Sequence, residues 1–158
     1  MDAQGMILAI SEAQMGHKQG GIPIGSVLLL PNESDAEGTF TLLGSGHNER
    51  IQKSSPTLIS ALENAGRLSP EVYRKSTITP SSFIRIFSPC SMCSGAILLY
   101  KIPRVVIGEN ETFLGEEELL RSRGVEVVVL DNEECKDIMR RFIQEMPQAW
   151  NEDIGELR

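Results

Sequence analysis

With 158 residues, 41% of them apolar, the chain can bury one sizeable core and is too short for two domains of ordinary size. Its formal charge of −7 provides no positive field to gather phosphates, which argues against tRNA or DNA as a partner, and no apolar run approaches the roughly 18 residues that span a bilayer. Three cysteines, two of them close together, do not make a secreted disulfide framework, so a reducing compartment is expected, the cytoplasm or else the nucleus.

Met1-Asp2-Ala3-Gln4-Gly5 has no basic stretch ahead of an apolar one and reads as unprocessed. Met6, Ile7, Ile10 and Ala13 recur near helical spacing and predict a helix over 6–15, ended by Gly16 and Gly20-Gly21. Residues 24–30 read as a strand, 31–38 as a polar turn, and 40–46 as the returning strand of a hairpin-like pair. A polar loop over 47–56 leads to a short helix at 58–65, which stops at Gly66, the residue that most easily adopts a left-handed cap. Alternation in Phe83-Ile84-Arg85-Ile86-Phe87 predicts a third strand running into Ser88-Pro89-Cys90, and a helix follows over 91–100, closed by Ile102-Pro103. Residues 104–108 and 125–130 are continuous apolar runs, as in fully buried strands, and Asp131 or Asn132 caps a helix reaching about Gln144. The alternation of helices and strands, with no repeat or linker, predicts one α/β domain over 1–158: a mixed sheet covered by helices.

Pro89-Cys90-Ser91-Met92-Cys93 sets two thiols three apart at a helix start, on one face, where backbone N–H groups favour thiolates. A strand followed by Pro-Cys-x-x-Cys opening a helix suits zinc. A buried cysteine pair or a redox Cys-x-x-Cys are the alternatives.

The Cys-x-x-Cys helix stands among several further segments. They are Gly20-Gly21-Ile22-Pro23-Ile24-Gly25, Gly46-His47-Asn48-Glu49-Arg50, Leu62-Glu63-Asn64-Ala65-Gly66-Arg67-Leu68, Ile102-Pro103-Arg104-Val105-Val106-Ile107-Gly108-Glu109-Asn110, and the stretch 147–155. Together they resemble the yeast-type cytosine deaminases, within the cytidine and deoxycytidylate deaminase zinc-binding family, over nearly the whole chain. The resemblance implies a three-layer α-β-α fold with a five-stranded mixed sheet, a homodimer, and zinc-dependent hydrolysis of cytosine to uracil and ammonia. In such enzymes three protein ligands leave zinc an open position for water, and a Glu carries the proton.

By resemblance, Cys90 and Cys93 are metal ligands. Asn48 donates to the ring carbonyl, Phe113 covers the ring, and Trp150 and Asp153 close the site, Asp153 accepting from the exocyclic amine. Read from the sequence alone, Phe113 and Trp150 are core or docking aromatics and Asp153 a solvated acid. The family's His-x-Glu is missing. Where its pattern runs Thr-Leu-His-Gly-Glu-Ile-Ser, this chain runs Thr57-Leu58-Ile59-Ser60, three residues short. Pro56 then falls at the ligand position and Leu58 at the base, neither able to bind metal or carry a proton. Catalytic residues are therefore none, and zinc binding is expected to be weak or absent. His47-Asn48-Glu49 matches His-x-Glu formally, but in a loop where Asn48 already has a role. His47 is read as packing locally rather than as a replacement ligand, His17 as lying without a role in a solvated turn after the first helix, and Cys135 as structural. Thr79-Pro80-Ser81-Ser82 and the strand after it replace a shorter family segment, which leaves the strand's register open.

Three readings follow: a cytosine deaminase, a non-catalytic pyrimidine-binding or regulatory dimer partner, and a mis-spliced reading of an active enzyme. The face Ala96, Ile97, Leu98, Leu99 and Tyr100 is compatible with the dimer, or with simple burial against the sheet.

Overall fold

The computed structural model describes residues 1–32, 39–80, 91–110 and 116–154. In chain order these form α1 (Asp2–Lys18), β1 (Gly25–Pro31), β2 (Phe40–His47), α2 (Arg50–Lys53), α3 (Thr57–Ala65), α4 (Pro70–Lys75) and β3 (Thr77–Pro80). There follow α5 (Ser91–Tyr100), β4 (Arg104–Ile107), α6 (Glu117–Ser122), β5 (Glu126–Val129), α7 (Glu133–Glu145) and α8 (Pro147–Asp153).

The strands make one mixed sheet in the order β2-β1-β3-β4-β5, with β1 antiparallel to both neighbours and β3, β4 and β5 parallel. Period-two alternation along β1 divides the core into layers. Val27 and Leu29 pack with Ala9 of α1 on one face. Leu28 joins Leu58 and Leu62 of α3, Ile78 of β3, Ile97 of α5 and Val105 of β4 on the other. The sheet lies between helices, as in the expected three-layer fold.

Glycines set how closely the helices approach. A Cβ on Gly46 of β2 would meet the Ala61 backbone nitrogen of α3 at 2.6 Å, and one on Gly25 would strike the Ala9 carbonyl oxygen of α1. At the far end of α1, Arg104 donates to both carboxylate oxygens of Asp2 at 2.8 and 2.7 Å and also pairs with Glu126 at 3.2 Å. The bond from Arg104 outweighs burial and holds the Asp2 carboxyl below its ordinary range. A carboxyl depressed by folding contributes stability above its ordinary pKa of about 3.9 and loses it as pH falls through the folded value. Asp2→Asn is expected to cost about 1 kcal/mol at pH 7 and nothing once the carboxyl is protonated, as read from denaturant midpoints at pH 7 and in acid.

Three elements differ from expectation. The predicted strand at 83–87 lies outside the described residues, and the sheet's third strand is Thr77–Pro80. Its single apolar residue, the fully buried Ile78, gives too little alternation to be read locally. Helix α4 falls where no element was expected, although Ser69 accepts from the Val72 amide as its N-cap and Pro70 stands in its first turn. Helix α2 likewise interrupts the polar loop at 47–56. Helix α5 spans Ser91–Tyr100 as predicted, Gly66 ends α3 at φ 70°, and Asn132 caps α7 by accepting from the Cys135 amide.

Candidate functional site

The start of α3 faces α5 across an apolar cluster that contains both Leu58 and Cys93. Pro56 is the N-cap, Thr57 and Leu58 form the first turn, and all three are buried, Leu58 to 2% exposure. No side chain in this turn offers a metal an imidazole, thiolate or carboxylate.

Glu49, the carboxylate that reaches α3 from the preceding loop, accepts from Ser60 Oγ at 3.0 Å and pairs with Lys53 at 3.0 Å. Burial opposes its charge, but the bonds from Lys53 and Ser60 win and hold it below the ordinary carboxylate range. Such a group stays ionised at neutral pH, whereas a general acid–base works best with a pKa near the operating pH.

His47 ends β2 with its ring against α1. Nδ1 lies 3.1 Å from Glu12 Oε2 and Nε2 lies 3.2 Å from Gln19 Oε1, while Glu12 Oε1 accepts from Ser45 at 2.6 Å. Helix α1 covers the Val27 and Leu29 face of the sheet and Cys93 belongs to the Leu28 face, so His47 is held apart from the thiol. This agrees with the local-packing reading. His17 lies within α1 rather than in a turn after it, edge-on to Phe142. Cys135 sits 3.7 Å from Met6 Sδ, and burial pushes its thiol up to about 12, as suits a structural cysteine.

A second group forms around Arg50. Asn48 is 4% exposed, and its Oδ1 accepts from the Arg50 amide at 3.0 Å. The Arg50 guanidinium pairs with Asp153 Oδ1 at 3.1 Å and donates to the Asp153 carbonyl at 2.8 Å. Trp150 packs with Ile22, Ile24, Met139 and Phe142 and fixes α8 beside this group. Asp153, its side chain 9% exposed, is therefore a partner of Arg50 rather than a solvated acid. Burial pushes its carboxyl up, against the pull of Arg50. The structure thus brings Asn48 and Asp153 to one arginine with Trp150 nearby, while Cys90 and Phe113 lie outside the described residues. A groove of about 690 Å³ between α3, α4 and the end of α5 contains none of these residues.

A family model described as the cytidine and deoxycytidylate deaminase zinc-binding region matches residues 1–109. A cytosine deaminase of Candida albicans is 52% identical over 98% of this chain and 97% of its own length. The chain belongs to the cytidine and deoxycytidylate deaminase zinc-binding family. A tRNA-specific adenosine deaminase of Haemophilus influenzae is 34% identical over 70% of this chain and 59% of its own length. Among solved structures, a Rib2 deaminase of Aspergillus oryzae superposes with a TM-score of 0.65 at 14% identity, covering 98% of this chain and 96% of that one. A tRNA:A34 deaminase superposes at 0.62 and 20% identity, over 86% and 99%. These likenesses establish the deaminase fold.

Zinc is the metal of this family, and Cys93 stands on the helix that would offer it. Among the described residues, however, no three of His, Cys, Asp and Glu cluster as a metal site, and the first turn of α3 presents Pro56, Thr57 and Leu58. The described residues alone do not fit a three-ligand zinc. Arg50 is legible in the sequence only as part of the segment Gly46-His47-Asn48-Glu49-Arg50, two residues after Asn48.

Proposed function

We propose that the protein is a cytosine deaminase, hydrolysing free cytosine to uracil and ammonia in the cytoplasm. The observation that carries this is the 52% identity to a cytosine deaminase along almost the whole of both chains. In this reading the Asn48 amide donates to the ring carbonyl and the Asp153 carboxylate accepts from the exocyclic amine. Trp150, with Phe113, encloses the ring, and Cys90 and Cys93 would supply two ligands to a metal. The charge of −7 favours an uncharged base over tRNA. The test is chromatographic, with purified protein incubated with cytosine, adenine or guanine. Uracil from cytosine, with both purines unchanged, is expected. Conversion of a purine and not of cytosine contradicts the reading.

The first turn of α3, which carries neither a metal ligand nor a base, favours a second reading, a member that binds pyrimidine without turning it over, and its signature is cytosine binding with no uracil formed. A mis-spliced reading frame is tested by sequencing the transcript across codons 55 to 90.

A homodimer belongs to the same proposal. Ala96 and Ile97 are buried in the core and are not available to a partner, which corrects the face expected from the sequence. The exposed apolar side chains of α5 are Met92 at 54%, Leu99 at 74% and Tyr100. Met92 and Leu99, seven apart, share one stripe of the helix. Leu99→Asp is expected to halve the mass found by light scattering, and a one-chain mass for the unaltered protein at micromolar concentration contradicts the dimer.

A further inference from the structure

We propose that Arg50 is the positioning residue of the pyrimidine pocket, fixing which atoms of Asn48 and Asp153 face the ligand and so setting the preference for cytosine over uracil. The proposal rests on the pocket reading above. Asn48 carries an acceptor oxygen and a donor nitrogen on one flat amide, which can present either. The Arg50 amide takes the oxygen at 3.0 Å, so the nitrogen is left to donate, as a ring carbonyl at C2 requires. The Asp153 side chain is only 9% exposed, and an isolated carboxylate there would tend to protonate. The Arg50 guanidinium engages Oδ1 at 3.1 Å and holds the backbone at the Asp153 carbonyl, which leaves Oδ2 to accept. Cytosine offers that oxygen an amine at C4. Uracil offers a carbonyl there, acceptor against acceptor. One residue therefore orients the group that reads what the two bases share and the group that reads where they differ.

A merely structural role would be to hold α8, but Trp150 already docks that helix in an apolar cluster with Ile22, Ile24, Met139 and Phe142. Trp150 is the chain's only tryptophan, so its emission reports α8 directly.

The test is calorimetric titration of the full chain with cytosine and with uracil, for the unaltered protein, Arg50→Ala and Arg50→Lys. The unaltered protein is expected to prefer cytosine. Arg50→Ala keeps its backbone N–H on Asn48 and loses only the hold on Asp153. Cytosine affinity should therefore fall about tenfold or more while uracil affinity changes less than about twofold. Arg50→Lys should recover part of the cytosine affinity, because one ammonium pairs with the carboxylate but does not reproduce the two-point hold. Trp150 emission should stay unshifted in both variants. If Arg50→Ala does not fold, an intermediate cytosine affinity in a folded Arg50→Lys carries the test. An unchanged preference in the variants overturns the proposal, as does a loss accompanied by a red shift of Trp150. If the unaltered protein binds neither base, the pocket reading itself fails, and that baseline separates the two failures.

Discussion

Inserting His-Gly-Glu between Leu58 and Ile59 is expected to raise zinc content towards one ion per chain and to speed cytosine deamination by about 10²–10⁴-fold, the usual worth of general acid–base help. The reason lies in the geometry of α3. Residues from Ile59 onward keep their packing against β2 and β1, where Ala61 and Leu62 are buried. Three inserted residues make most of one helical turn, so Pro56, Thr57 and Leu58 move back into the preceding loop. An imidazole and a carboxylate then stand in the first turn, in place of an apolar one that shares a cluster with Cys93. Any shortening of the segment before Cys90 must spare Thr77–Pro80, the strand that pairs with both β1 and β4. The two gains arise from one site and are not independent. Elemental analysis and uracil formation on the same preparation check the prediction. A folded, zinc-loaded insertion variant that deaminates no free pyrimidine contradicts the cytosine assignment.

The largest expected loss of stability comes from Gly25→Ala. The added methyl lands on the Ala9 carbonyl oxygen and 2.5 Å from the Ala13 nitrogen, both backbone atoms of α1, so no side-chain rotation relieves it. Helix α1 must lift from the sheet, which loosens the contacts of fully buried Ala9 and Ala13. Overpacking against backbone in a core costs about 3 kcal/mol, or roughly 6–12 °C in Tm for a chain of this size. Thermal unfolding followed by circular dichroism measures it, and an unchanged Tm would show that α1 does not pack this closely on β1.

The sequence was most legible where signals are local. The small-residue helix after Pro89, the apolar run of β4 and the Asn132 cap each declare themselves within a few residues, and each is found in place. Strand β3 was not legible, because Thr77-Ile78-Thr79-Pro80 looks like a loop until β1 and β4 flank it. The same holds for the site. Asn48 and Asp153 could be named only through the family resemblance, since the bond that joins Arg50 to Asp153 spans 103 residues and leaves no local spacing to read. The apolar character of the first turn of α3, by contrast, stands plainly in Pro56-Thr57-Leu58.

Calorimetric titration of the unaltered chain with free bases decides whether Asn48, Arg50, Asp153 and Trp150 form a cytosine pocket. One cytosine is expected to bind per chain, more tightly than uracil and with no saturable binding of adenine or guanine. Adenine bound at one site per chain, or no heat from cytosine at any concentration, would contradict it.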